Sequence, residues 1–154
     1  MTTETSKNRP YTEYYQNGQK KVEGDYKDGK KNGKWTEWYE HGDIKSKGNY
    51  KDGVEDGEWT EWYENGQEKI ETNYRDGRLH GKVTSWHWDG GVKSDVYYIN
   101  GKVDGITNFT DYYGDVYVNW YIHGELAGTL GDNGVWEYTE LGNKTWDESM
   151  SEDD

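Results

Sequence analysis

The hydrophobic positions of this chain are mostly aromatic rings, set in short runs among polar residues. The run WTEWYE occurs at residues 35–40 and again at 59–64, and a relative, YTEYYQ, lies at 11–16. Alternation of this kind predicts strands whose successive side chains point to opposite faces. Dividing the chain every 24 residues aligns four copies without gaps, at residues 11–34, 35–58, 59–82 and 83–106. A degenerate fifth copy at 107–130 keeps Gly114, Gly124 and Gly128. Its Gly114 and Gly124 are ten residues apart, where the equivalent glycines of earlier copies are eleven apart. A closing strand is expected within 131–141. Residues 1–10 and the acidic tail at 142–154 are expected to be disordered.

Each copy carries two turn signals. The first is Asn17-Gly18, His41-Gly42, Asn65-Gly66 and Asp89-Gly90; the second is Asp28-Gly29, Asp52-Gly53, Asp76-Gly77 and Asn100-Gly101. Such dipeptides between apolar-polar runs are the strongest short-range hairpin signal. A further glycine follows four residues later, at Gly33, Gly57, Gly81 and Gly105. One repeat is therefore one β-hairpin. The expected fold is all-β: an elongated, single-layer antiparallel meander of tandem 24-residue hairpins, each touching mainly its neighbours.

Composition changes this picture in one respect. Mean hydropathy is −1.36 and aliphatic residues are sparse, which alone leans toward disorder. Nine Trp, fifteen Tyr and one Phe reverse that reading, because each large ring buries roughly 150–250 Å². With 21 Gly and one Pro, the chain cannot be mostly helical. It has no cysteine, so disulfides and thiolate metal sites are excluded. No apolar run is long enough to span a membrane. The start, MTTETSKNRP, lacks the apolar stretch of a secretory leader, so a cytoplasmic location is expected.

The Tyr-x-x-Gly-x-x-x-Gly core at Tyr26/Gly29/Gly33, Tyr50/Gly53/Gly57, Tyr74/Gly77/Gly81 and Tyr98/Gly101/Gly105 resembles the MORN repeat. It resembles more closely the bacterial variant found in the YwqK-type antitoxin family. The similarity covers residues 11 to about 128. It implies a β-hairpin array, and a role as an antitoxin or immunity protein beside a secreted toxin.

Two hairpin registers are open. A two-residue loop sets Trp35 over Gly48 and Trp38 opposite Lys45. A three-residue loop ending in a glycine bulge instead pairs Glu13, Glu37 and Glu61 with Lys21, Lys45 and Lys69. The second is preferred, because cross-strand ion pairs contribute about 0.2–1 kcal/mol each. It places Tyr14/Trp38/Trp62/Trp86 and Tyr26/Tyr50/Tyr74/Tyr98 on one apolar face. Trp35/Trp59, Glu13/Glu37/Glu61 and Tyr15/Tyr39/Tyr63 then lie on the other.

Charge directs the functional reading. Residues 1–34 carry 8 Lys/Arg against 5 Asp/Glu, residues 35–82 carry 7 against 12, and residues 83–154 carry 3 against 14. These make the net charge of −13, which repels phosphate backbones and anionic lipid and points to a basic protein partner. His41, His80, His87 and His123 have no metal-ligand spacing and fall in no triad-like pattern, so they are expected in turns or on the surface. The acidic residues recur in every copy, whereas catalytic residues are single exceptions to a repeat. The glycines belong to turns and form no phosphate loop. No enzyme, cofactor or metal is expected. The candidate partner-binding residues are Trp35, Glu37, Tyr39, Trp59, Glu61 and Tyr63, with Asp111 and Asp115 of the acidic fifth copy. The leading expectation is an antitoxin that occludes the basic active site of a toxin or nuclease. The alternatives are an acidic DNA mimic and an assembly scaffold.

Overall fold

The structure is a computed structural model and describes residues 8–142. The tail segment 143–154 and residues 1–7 lie outside the described residues. Strands β1 (Arg9–Tyr14) and β2 (Lys20–Lys27) form the first hairpin, β3 (Lys30–Trp38) and β4 (Ile44–Lys51) the second. In the next three repeats the first strand is interrupted by one residue. These are β5 (Val54–Glu55) and β6 (Gly57–Trp62) with β7 (Glu68–Arg75), then β8 (Arg78–Leu79) and β9 (Gly81–Trp86) with β10 (Val92–Ile99). Last come β11 (Lys102–Val103) and β12 (Gly105–Thr110) with β13 (Val116–Ile122), then β14 (Glu125–Leu130) and β15 (Trp136–Tyr138). All belong to one open antiparallel sheet in which sequence neighbours are spatial neighbours. The strand at the N-terminal edge starts at Arg9, within the segment expected to be disordered. Arg9 pairs with Tyr26 and lays its guanidinium over that ring at 5.8 Å. Pro10 sits on this outermost strand, the place in a sheet where a missing N–H is tolerated.

The Asp-Gly turns need both central residues at positive φ, and they have it: Asp28 at 51° and Gly29 at 78°, with Asp52, Asp76, Asn100 and His123 alike. Asp and Asn tolerate this conformation better than other non-glycine residues. Each such tip after the first also donates to the preceding repeat, as Gly53 N–H to Lys31 O at 2.9 Å and Gly77 N–H to Glu55 O at 2.9 Å. Successive hairpins are thus tied along the rim as well as through their strands.

The register combines the two expected forms. The Asn-Gly loops are three-residue loops: Tyr15 N–H bonds Gln19 O, Gly18 N–H bonds Tyr15 O, and Gly18 has φ 86°. At the turn Trp38 faces Ile44, and the ion pairs form: Lys21–Glu13 at 2.7 Å, Lys45–Glu37 at 3.8 Å and Lys69–Glu61 at 3.0 Å. A second bulge between Glu37 and Trp38 then shifts the pairing by one, so that Trp35 faces Gly48. A one-residue shift moves side chains to the other face. The face assignment is corrected accordingly. Tyr26, Tyr50 and their equivalents lie with Trp35 and Trp59, while Trp38 lies on the opposite face with Thr36 and Ile44. Val22 faces Glu13 and Glu37 and so lies on the Trp35 face.

The core of this single layer is built sideways. Trp35 lies over Gly24 of the neighbouring strand and is 2% exposed. Tyr11 stacks on it at 5.6 Å, Tyr26 and Tyr50 meet it edge-on at 5.3 and 6.0 Å, and Lys31 Nζ sits 4.3 Å from its ring. Gly48 seats Trp59 in the same way. In the next repeats the seat and the ring change together: Thr72 faces Trp59 and lies one strand from Val83, then Val96 pairs with Val83 ahead of Thr107. Val83, Thr72 and Thr107 are all buried.

The fifth copy uses its missing residue. The β12–β13 pairing runs without a bulge, so the aromatic core changes face. Trp120 pairs with Gly128 on the face that carries Ile106, and Trp136 and Tyr138 gather round it. Thr139 then closes the C-terminal edge, its N–H to Ala127 O and its hydroxyl to Leu126 O, both at 2.8 Å.

Candidate partner-binding surface

The residues expected to meet a partner share one face, but most of them are engaged there by the sheet itself. Trp35 is closed off, and its indole N–H donates to Asp25 O at 3.3 Å. As a surface anchor it is corrected: the Tyr column expected on the other face covers it. Trp59 is half-buried and donates to Asn49 O at 3.3 Å. Glu37 and Glu61 are paired with their lysines, as described above. Tyr39 and Tyr63 reach across to the next repeat, donating to Trp62 O at 2.7 Å and Trp86 O at 2.9 Å. Tyr15 does the same to Trp38 O at 2.7 Å. His87, which stands where the fourth repeat would have this tyrosine, keeps the link through Nε2 to Thr110 O at 3.0 Å. The histidine is thus a repeat-to-repeat strut. Tyr39→Phe should lower stability by about 1 kcal/mol, the usual net value of one hydrogen bond, as read by urea unfolding; no change would mean the strut is idle.

The carboxylate pairs respond to acid. The hydrogen bond from the Lys21 ammonium lowers Glu13; burial opposes it, the Lys21 charge and the Tyr11 hydroxyl add to it, and the net shift is downward. At Asp95 burial pushes upward, but the Thr84 hydroxyl and Lys82 outweigh it and the net shift is downward. A group lowered on folding stabilises above its unfolded value, about 3.9–4.3 for these side chains, and loses that contribution as pH falls through its folded value. Melting temperature should therefore drop on acidification through this window, and the drop should be shallower in Glu13→Gln.

Apart from Tyr14 on the edge strand β1, the most exposed rings lie elsewhere. Tyr112 is 90% and Tyr113 88% exposed, at the tip between β12 and β13, and Trp88 is 54% exposed at the tip before it. Phe109, Val116 and Tyr117 are exposed beside them. Asp111 anchors this tip. Its Oδ1 accepts from the N–H groups of Tyr113 and Asp115 at 2.9 and 3.0 Å. Its charge, with burial and Asp115 after it, pushes the Tyr117 phenol up. Asp115 is exposed next to it. Sequence reasoning named the two aspartates and passed over Trp88, Tyr112 and Tyr113. The signal was present: these rings replace the Glu, Gln and Asn of earlier tips.

Three segments match a known family model. It is the MORN repeat variant, at residues 10–28, 31–52 and 55–76. The match to the MORN repeat variant accords with the open sheet of sequential hairpins. The aromatic tips at Trp88 and Tyr112-Tyr113 lie beyond the matched segments. No curated protein matches the chain. Among the described residues, no cluster of three or more His, Asp or Glu could hold a metal ion. No helix among them is long and apolar enough to cross a membrane.

Proposed function

We propose that this chain is a non-enzymatic repeat module that binds a basic protein. It acts in the cytoplasm as an antitoxin or immunity protein, covering the basic active site of a cognate toxin. One observation carries the reading: the rings left open to solvent, Trp88, Tyr112 and Tyr113, belong to the part of the chain with 3 Lys/Arg against 14 Asp/Glu. In the N-terminal repeats Tyr14 on β1 is the exposed ring, the other rings pack among the strands, and Glu13, Glu37 and Glu61 pair with lysines. Exposed aromatic anchors supply affinity at interfaces, and a single-signed field speeds encounter with an oppositely charged partner. The MORN repeat variant is a repeat module suited to binding, which supports the coarser part of this reading.

The test is co-expression with a toxin encoded beside this gene. The expected result is protection of the cell, a direct complex of the two purified proteins, and affinity that falls with added salt. A toxin that still kills, or a complex indifferent to salt, would overturn the reading.

A further inference from the structure

Five repeat loops, and the closing loop with Asp132-Asn133 at its first two positions, are three residues long and close in the same way, each with its glycine at positive φ. Their first two positions are polar in three repeats: Gln16-Asn17, Glu40-His41 and Glu64-Asn65. In the fourth and fifth they are Trp88-Asp89 and Tyr112-Tyr113. Nothing in the loop geometry asks for rings at these two positions, so the fold does not account for them.

Between the fourth and fifth tips lies an open cleft of about 520 Å³, lined by Trp88, Val92, Tyr112, Asp89 and Asp111. Trp88 is braced edge-to-face by Tyr63 at 5.1 Å. The Asp111 carboxylate is fixed by the tip N–H groups described above. The carboxylates at this end differ from those that a lysine meets across a strand. Glu13, Glu37, Glu61 and Asp95 each face a lysine. Among the described residues no lysine or arginine pairs with Asp89, Asp111 or Asp115.

We infer that this cleft receives an arginine side chain of the partner, an inference that rests on the binding reading above. A guanidinium is planar and weakly hydrated. It stacks on an indole or phenol face and presents its N–H edge to a carboxylate at the same time. The cleft offers both surfaces side by side: rings on Trp88 and Tyr112, oxygens on Asp89 and Asp111. A lysine ammonium matches the charge and forfeits the stacking.

The probe is the peptide Gly-Gly-Arg-Gly-Gly, with citrulline in place of arginine as its neutral isostere. Both are titrated into the isotopically labelled full chain while the indole N–H resonances of its nine tryptophans are followed. The arginine peptide should give a saturable shift centred on Trp88, and the citrulline peptide should not. Tyr112→Ser, at a fully exposed tip, should weaken the response at least tenfold while the other indole resonances stay in place. Equal shifts with citrulline, shifts spread evenly over the tryptophans, or an unchanged response in Tyr112→Ser would each overturn the inference. The two levels separate. A toxin complex that forms equally with Trp88→Ser and Tyr112→Ser leaves the binding function standing and removes the arginine cleft. An arginine-specific shift at Trp88 without any toxin complex does the reverse.

Discussion

Gly48→Ala is expected to cost about 3 kcal/mol or more, the upper range for overpacking a tight core. The new methyl carbon would fall inside the Trp59 indole, against its fused-ring carbons. Neither side can yield cheaply. Gly48 is mid-strand in β4, held by pairing with Trp35 on one side, and the ring of Trp59 is pinned edge-on by Tyr50 at 5.3 Å. The control is Gly57→Ala. There a Cβ meets nothing, and only the φ of 82° opposes it, so about 1 kcal/mol is expected. Urea unfolding followed by tryptophan fluorescence measures both. The later repeats suggest the rescue. The double variant Gly48→Thr with Trp59→Val copies the Thr72–Val83 combination and should recover much of what Gly48→Thr alone loses. Equal stability of Gly48→Ala and the unsubstituted chain would show that the ring is not seated on the glycine.

The glycine pattern explains what could be read in advance. Turns are local: Asn-Gly and Asp-Gly dipeptides at fixed intervals demand particular φ values, and the hairpin order follows from them. Register is not local. It depends on two irregularities of opposite effect, the glycine bulge in the loop and the second bulge beside Lys45. Each preserves what one simple register offers. The first brings Glu37 to Lys45; the second restores the pairing of Trp35 with Gly48. A choice between two regular registers could not represent both, and so the Tyr column was expected on the wrong face. The ten-residue spacing in the fifth copy was visible, but its consequence depends on the same bulge, whose loss turns the aromatic core over. The candidate surface followed this error. Repetition drew attention to Trp35 and Glu37, whereas repetition marks what the array needs for itself. The residues that break the repeat at positions the array does not constrain, Trp88, Tyr112 and Tyr113, are the ones the fold leaves unexplained.

The sharpest separation of these roles is a pair of tryptophan variants. Trp35→Ala should lose about 3–5 kcal/mol, as expected for removing a large buried ring. It deletes the stack with Tyr11, the edges of Tyr26 and Tyr50, the ammonium of Lys31 and the indole hydrogen bond to Asp25 O. Because β1 is an edge strand held only by β2, loss of Tyr11's partner should loosen the N-terminal hairpin first. Hydrogen exchange would show this as early opening of β1 and β2. Trp88→Ser removes a half-open ring at a loop tip, braced by Tyr63, and should cost less than about 1 kcal/mol. On partner affinity the order should reverse. At a temperature where both variants are folded, Trp35→Ala should bind as the unsubstituted chain does, because its ring was never presented. Trp88→Ser should lose tenfold or more. Calorimetric titration decides it, and a Trp35→Ala chain that is stable but cannot bind would return the interface to the face where the repeats first suggested it.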